Sequence, residues 1–486
     1  MVTKLTSLRY IGKEVDVPVA LPTVEAQLKW SFPEWFVISQ TALPAILFLP
    51  NTQAFRLPLR VSSFGISLAA LIWWFGKRDR NANPHPAAHW LFLAVVYLVV
   101  IVFHPKTNTP LAGLAQTMLY LSVLAPAFWA SEMVRKPQQL MRLLVILLIC
   151  NGINSLVGLL QVYNPAFWMP EEFSSVAMSA KYGLSNFTYI NSAGQLAVRP
   201  TGLFDTPGAV SAPGMVAGVL GLIFALSSIS AWKRILAFGA SIIGVAVVYY
   251  SQVRTAFLIM ALMMLVYAGI VWFIQKQKTR AIAFVGIGGL LLTVLFPFTI
   301  SRSGEIANKR YAALAQSNPI AVYYQAKRGD QMENAFTSLL PQYPFGAGLG
   351  RWGMMRLYFG DESNVDSPPI WAELQFTAWI LDGGIVLMLF YSLALLTTTL
   401  YEFRIAKKSG NTESHSIVPI VLAINMGTLA LVFGFTPFTT QLGLQYWFLA
   451  GALHGVAQGS GLLLNERIRT GQRGFHNLGW HGSRQL

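Results

Sequence analysis

The sequence contains one cysteine, Cys150, which lies inside an apolar run. An intrachain disulfide and a metal site built from several cysteines are therefore excluded. Charged residues are also scarce, since they make up 11% of the 486 residues, whereas hydrophobic residues make up 54%. A chain of this length with so little charge is not typical of a soluble domain, and its composition indicates many membrane spans.

Histidine is missing from the middle of the chain. The seven histidines are at positions 85, 89, 104, 415, 454, 476 and 481. No residue between His104 and His415 can therefore provide an imidazole as a general base. The N-terminal stretch also lacks the apolar segment of a signal peptide, so we expect a polar segment over 1–33 without a cleaved leader.

Long apolar runs account for most of the chain. About twelve of them are roughly 17 to 29 residues long, which is enough to cross a bilayer as a helix. They lie near residues 34–50, 57–76, 87–104, 110–131, 139–163, 208–230, 234–251, 254–275, 281–300, 372–400, 416–437 and 440–464. This pattern predicts an all-α polytopic membrane protein, with transmembrane helices 1–9 within 34–301 and helices 10–12 within 372–464. A tight turn is expected between Ser251 and Arg254.

Positive charge alternates between the links that join these runs. Lysine and arginine are concentrated in every second link, at 77–80, 135–142, 233–234, 276–280, 404–408 and 467–484. This is the positive-inside pattern, and it predicts that both termini, including the tail 465–486, are cytoplasmic. The link 164–207 and the large loop 302–371 then lie on the outer face. Because topology accounts for most of the net charge of +15, we expect no nucleic-acid partner.

Two arginines occur where the positive-inside pattern does not favour them. Arg199 and Arg254 both lie on the predicted outer face, at or near helix starts. An ionisable residue near a membrane in such a position is a candidate functional residue. The structural alternative is that each side chain extends to the lipid headgroups and anchors a helix end.

Three segments together resemble a known family. The segment Arg199–Pro207 resembles the R-x-x-G-x-F-x-x-P pattern of bacterial O-antigen ligases and Wzy-type polysaccharide polymerases. The segment Ser251–Ala256 resembles their S-x-S-R-x-A motif, although Val253 replaces a serine. Arg328 and the glycine-rich run 344–350 resemble the arginine and the turn of their large periplasmic loop. The resemblance covers roughly residues 195 to 400.

This resemblance implies a GT-C-like glycosyltransferase in the bacterial inner membrane. Members of the family transfer a glycan from an undecaprenyl diphosphate carrier to a saccharide or glycolipid acceptor, without a metal or other cofactor. The implied process is biosynthesis of O-antigen or exopolysaccharide for the cell envelope, by polymerisation or ligation, with other polysaccharide assembly proteins as further partners. A twelve-span transporter or flippase of lipid-linked glycans is the alternative from a different class.

The resemblance also assigns roles to residues. Arg199, Arg254 and Arg328 would bind the diphosphate, because guanidinium groups bind such oxygens bidentately and stay charged. The implied substrate loop contains Gly346, Gly348, Gly350 and Arg351. Glycines there would let the backbone approach a ligand, but a purely structural turn explains them equally well.

One departure from the family concerns the acceptor. The ligases carry a His-Asn pair near the end of the large loop, and this chain has Ala372-Glu373 at that position when the residues are counted back from Asp382. Glu373 can replace the imidazole as general base, with Asp366 as second candidate and His104 as third. Alternatively, Glu373 is an acidic residue near a helix N-terminus, where the helix dipole favours it.

Acidic and aromatic residues of the large loop leave further alternatives open. Asp361, Glu362 and Asp366 would suit a hard cation, although clustered loop acids are usually solvated. Trp352, Tyr358, Phe359 and Trp371 would suit sugar stacking or an interfacial aromatic belt.

Overall fold

The computed structural model describes residues 29–49, 51–78, 83–169, 188–190, 196–303, 328–410 and 413–462. Most of these residues are helical, and the strands β1 (Thr188–Ile190) and β2 (Leu196–Val198) form a short antiparallel hairpin. The remaining positions include most of the predicted N-terminal segment 1–33, much of the link 164–207, the first part of the large loop and the tail 465–486. Predictions for those positions lie outside the described residues.

The helices follow the apolar runs of the sequence. Those before the hairpin are α1 (Phe32–Ala45), α2 (Arg56–Lys77), α3 (Ala88–Ile101), α4 (Pro110–Leu124), α5 (Pro126–Met133), α6 (Pro137–Tyr163) and α7 (Pro165–Trp168). Those after it are α8 (Ser211–Ala225), α9 (Ala231–Ser251), α10 (Arg254–Gly269), α11 (Lys278–Ser303), α12 (Arg328–Asn334), α13 (Gly353–Phe359), α14 (Gln375–Lys408), α15 (Val418–Ala430) and α16 (Gln441–Gly459). A π-helical turn over Ala335–Leu339 continues α12 to Gln342.

Eight helical segments within the described ranges are long and apolar enough to cross a membrane. They are Arg56–Lys77, Pro110–Met133, Pro137–Tyr163, Ala231–Ser251, Arg254–Ile274, Lys278–Pro297, Gln375–Lys408 and Ser414–Phe433. The prediction of a helical, multi-pass membrane protein is therefore supported.

The eight segments that qualify by length and composition are fewer than the predicted number of about twelve spans. Every predicted run contains a helix, but four of these helices are not among the eight. One is α16, which has 19 residues. The other three are shorter, since α1 and α3 have 14 residues each and α8 has 15. At a rise of about 1.5 Å per residue, such helices are roughly 21–23 Å long, which is less than the hydrocarbon thickness of about 30 Å. The count of twelve therefore remains a prediction.

Close helix packing builds the centre of the bundle. Helices α8 and α9 meet at Gly221 and Gly244, where an added Cβ would overlap the backbone of the facing helix. Small residues at such positions let two membrane helices approach closely. The tight turn predicted between α9 and α10 is present, since Gln252 has left-handed backbone angles and α10 begins at Arg254.

The links between helices gather at two ends of the bundle. At one end, Asn108 after α3 donates to the Asp361 carbonyl of the large loop at 3.0 Å, and Gln375 accepts from the Phe438 amide at 2.9 Å. At the other end, His454 contacts the Asn83 carbonyl at 3.0 Å. These contacts bring together three of the links that are predicted to face outward, and they place one link that is predicted to face inward beside the end of α16. The side of the membrane that each end faces stays a prediction.

Candidate functional site

The segment Arg199–Pro207 is held by two amide side chains of α6. The Gln161 side-chain oxygen accepts hydrogen bonds from the amides of Thr201 and Gly202 at 3.0 and 2.9 Å, and its nitrogen donates to the Gly202 carbonyl at 2.8 Å. Asn154 accepts from the Leu203 amide at 2.9 Å. Gln161 and Asn154 are both buried, so the backbone of this segment has a defined path at the end of α6.

Asp205 connects the same segment to α2. Its carboxylate lies 2.8 Å from Nε of Arg56 and 2.6 Å from Nη2 of Arg60. Burial raises the pKa of Asp205, but the hydrogen bonds and charges of Arg60 and Arg56 outweigh this effect and hold its pKa below the ordinary value. Asp205 is therefore ionised near neutral pH and joins two arginines of one helix to the segment that carries Arg199.

Sequence reasoning missed Arg56 and Arg60. Both begin the second apolar run, on the face that the positive-inside pattern assigns to the outside. The argument that singled out Arg199 and Arg254 applies to them equally. Their pairing with Asp205, about 145 positions away, follows only from the fold.

Arg199 lies against the end of α9. Its Nε donates to the Ser251 carbonyl at 3.2 Å, and an added Cβ on Gly208 would lie 3.1 Å from its Nη2. Ser251 is the last residue of α9, and Arg254 begins α10 three positions later. The two arginine motifs of the sequence are therefore neighbours in space. Contact with a C-terminal helix carbonyl also stabilises that helix end.

Arg328 and Glu373 form an ion pair. Nη1 of Arg328 contacts Oε2 of Glu373, and the side-chain nitrogen of Gln331 donates to the same oxygen at 3.1 Å. Both members of the pair are partly exposed, at 28% and 31% of the side chain. The fold thus brings together Arg328, which is predicted to bind the diphosphate, and Glu373, which is the predicted general base. Glu373 precedes the N-terminus of α14 at Gln375, so the helix-dipole interpretation also remains open.

A chain of contacts connects the Arg254 region with the Glu373 region. Thr255, the second residue of α10, packs against Gly434. Phe433 lies 5.6 Å from Phe376, and Phe376 lies 6.0 Å from Phe336, measured between ring centroids. Phe376 belongs to the first turn of α14, and Phe336 to the helical stretch that begins at Arg328. The four predicted ionic residues are therefore grouped at the same end of the bundle.

The predicted substrate loop packs on the protein itself. Gly346, Gly348 and Gly350 all have positive φ angles, of 105°, 93° and 68°. An added Cβ on Gly348 would overlap the backbone of Lys106, and one on Gly350 would overlap Ala112. Gly348 therefore permits a close approach to the link between α3 and α4, and Gly350 permits one to the first turn of α4. These contacts agree with the structural alternative for this turn.

Arg351 also interacts with the loop backbone. Its guanidinium group donates to the Ala347 carbonyl at 2.7 Å and to the Pro368 carbonyl at 3.0 and 3.1 Å. The residue is buried, and burial lowers its pKa. These contacts tie the two halves of the loop together, while the predicted role of Arg351 in substrate binding stays a prediction.

A buried carboxylate fastens the loop to the bundle. Asp382 of α14 accepts hydrogen bonds from Nε1 of Trp352 and the Tyr120 hydroxyl, each at 2.8 Å, and from the Gln116 amide at 3.1 Å. Trp352 precedes α13, whereas Tyr120 and Gln116 belong to α4. Three donors around one carboxylate fix the position of α13 relative to α4 and α14.

Asp361, Glu362 and Asp366 of the large loop are exposed. Asp366 accepts through its backbone carbonyl from Nζ of Lys106 at 3.2 Å, and the hydrogen bonds from Ser363 lower the pKa of Asp361. Within the part of the chain that the structure describes, no three His, Cys, Asp or Glu side chains are placed to hold a metal ion. This finding includes Asp361, Glu362 and Asp366.

The chain was compared with known proteins at the level of families and of individual sequences. No protein-family model matches the chain, and no curated protein has a significantly similar sequence.

Proposed function

We propose that this chain is a membrane glycosyltransferase that moves a glycan from undecaprenyl diphosphate to a saccharide or glycolipid acceptor. The observation that carries the proposal is the contact between Arg199 and Ser251, because it unites two arginine motifs whose residue type suits a diphosphate. The proposal includes a GT-C-like architecture of about twelve spans in a bacterial inner membrane. The large loop would be periplasmic and both termini cytoplasmic.

In the proposed reaction the acceptor hydroxyl oxygen forms a bond to the anomeric carbon of the donor glycan. The bond from that carbon to the diphosphate oxygen breaks, and its electron pair stays on the diphosphate. Arg199 and Arg254 stabilise the negative charge that develops there, which preorganised donors do more effectively in a site with little water than in bulk solvent. The hydroxyl proton passes to Glu373. The products are the new glycoside and undecaprenyl diphosphate.

The arrangement around Glu373 supports this role. Oε2 is held by Arg328 and Gln331, and Oε1 accepts no hydrogen bond from any residue that the structure describes. One oxygen of the carboxylate is thus fixed while the other is available to the acceptor. Arg328, proposed as a further diphosphate ligand, is the residue that pairs with Glu373.

Deletion of the gene tests the function directly. We expect lipid-linked glycans to accumulate: single repeats if the chain is a polymerase, and carrier-bound polymer if it is a ligase. Glycans retained on the inner leaflet would instead identify a flippase. Mass spectrometry of the extracted lipids, with the leaflet determined by an impermeant label, distinguishes the three outcomes.

Topology is tested separately by cysteine labelling in a Cys150→Ser background. Ser363 is an exposed residue of the large loop, and Gly410 is exposed at the opposite end of α14. We expect an impermeant maleimide added to intact spheroplasts to label Ser363→Cys but not Gly410→Cys. The reverse pattern would contradict the periplasmic placement of the loop.

A further inference from the structure

Gln331 contacts the same oxygen of Glu373 as Arg328 does. It follows Arg328 by three residues on α12, so the two side chains lie on the same face of the helix. Both contact the same oxygen of Glu373, Arg328 through Nη1 and Gln331 through its side-chain nitrogen at 3.1 Å. The glutamine therefore restricts the orientation of the carboxylate independently of the ion pair.

The oxygen of the Gln331 amide has no partner among the described residues. This oxygen is also buried. A buried acceptor without a donor is destabilising, because its water is removed and not replaced, so such an atom is a candidate for a hydrogen bond from a ligand or from water. This oxygen and Oε1 of Glu373 are two acceptors on either side of one hydrogen bond.

We propose that Gln331 and Glu373 form the acceptor subsite, in which Gln331 accepts a hydrogen bond from one saccharide hydroxyl while Glu373 receives the proton of the reacting one. This inference rests on the proposed function and extends it to the acceptor. Two hydrogen-bond acceptors on hydrogen-bonded side chains suit a ligand that donates from two groups, and a sugar with more than one free hydroxyl is such a ligand.

The experiment compares Gln331→Leu, Gln331→Asn and the control Gln342→Leu in purified protein. Gln342 is an exposed glutamine at the end of the same helical stretch. The donor is the undecaprenyl diphosphate-linked glycan that accumulates in the deletion strain. The acceptor is either that glycan released from its carrier or a core glycolipid, whichever the wild type uses. Undecaprenyl diphosphate alone serves as the probe of the leaving-group site.

For Gln331→Leu we expect the KM for the acceptor to rise about tenfold, since one hydrogen bond is lost, and kcat to fall because Glu373 loses its orientation. The affinity for undecaprenyl diphosphate should stay within about twofold of wild type. Gln331→Asn keeps both polar groups on a shorter side chain, so its KM for the acceptor should lie between those of the wild type and Gln331→Leu. If Gln331→Leu fails to fold, the KM of Gln331→Asn tests the acceptor subsite in its place. Gln342→Leu should behave as wild type.

An unchanged acceptor KM in a folded Gln331→Leu protein would overturn the acceptor subsite but leave the proposed function intact. An equal loss of acceptor and undecaprenyl diphosphate affinity would also overturn it, because that result indicates a general structural role. Wild-type protein that neither binds undecaprenyl diphosphate nor transfers glycan would instead refute the proposed function itself.

Discussion

The candidate site has two halves, one around Arg199 and one around Glu373. They differ in how many of their polar groups are hydrogen-bonded within the protein. The segment around Arg199 is enclosed: Gln161, Asn154 and the Asp205 ion pairs bind its backbone and its acidic side chain from two helices. The region around Glu373 is more open, because both side chains of its ion pair are partly exposed. The buried oxygen of Gln331 in this region lacks a partner among the residues described.

This difference suits the two substrates that we propose. A diphosphate leaving group requires charges that are already in place when the bond breaks, since reorganisation during the reaction would raise the barrier. An acceptor must enter, align and leave in each cycle, and therefore needs polar atoms that are available. Substitutions in the enclosed half are expected to lower the rate by changing the positions of the arginines. Substitutions in the open half are expected to lower it by removing one specific chemical group.

The largest effect is expected at the open half. Glu373→Gln preserves the size of the side chain but cannot take a proton, so kcat should fall about 10²- to 10⁴-fold. Asp366→Asn should remain active, because Asp366 is exposed in the large loop. The rate is measured by release of undecaprenyl diphosphate. If Asp366→Asn is inactive while Glu373→Gln turns over normally, the base is Asp366 instead.

The next largest effect is expected at the arginines of the enclosed half. Arg199→Lys and Arg254→Lys keep the charge but lose the planar fork. Loss of one charge-assisted hydrogen bond of about 1.5–3 kcal/mol corresponds to a decrease in transfer of roughly 10- to 100-fold. Arg404→Lys, an exposed position near the other end of α14, is the control. Near-normal rates in both variants would assign Arg199 and Arg254 to helix anchoring.

A smaller effect is expected when the support of the enclosed half is removed. Gln161→Leu deletes the partner of two buried amides and one carbonyl. We expect a loss of about 1–3 kcal/mol in stability together with reduced kcat and little change in acceptor KM. Thermal unfolding and initial rates measure the two effects. Gln139→Leu, at the opposite end of α6, is the control and should change neither kcat nor KM. An equal loss of kcat in this control would show that the effect of Gln161→Leu is not specific to the site.

The smallest effect concerns the pH dependence of the Asp205 ion pairs. Because the folded-state pKa of Asp205 is lowered, its stabilising contribution is complete above the unfolded value of about 3.9 and is lost as the pH falls through the lower folded pKa. Asp205→Asn should therefore destabilise the protein at pH 7 and have progressively less effect below about pH 4. Thermal unfolding of both proteins between pH 3 and 7 checks this. A difference that stays constant over the whole range would contradict the ion-pair explanation.

The membrane character of this chain and the positions of its helices were determined by the sequence itself. Apolar runs long enough for a bilayer leave helix as the favoured structure, because backbone polar groups must be satisfied internally in lipid. The turn between Ser251 and Arg254 was predictable for the same reason, since two such runs are separated by very few residues. The choice of Arg199, Arg254, Arg328 and Glu373 as candidates came from residue type, local motif and predicted face.

Only the tertiary structure decided which of these residues meet and what else surrounds them. The contact of Arg199 with Ser251, the pairing of Arg328 with Glu373, and the attachment of Asp205 to Arg56 and Arg60 join positions that are 45 to 149 residues apart. Hydropathy and local motifs do not predict such pairings, because side chains on different helices become neighbours only through helix packing. The same packing directs the loop glycines and Arg351 toward the protein's own backbone, and places the Gln331 side-chain nitrogen against Glu373.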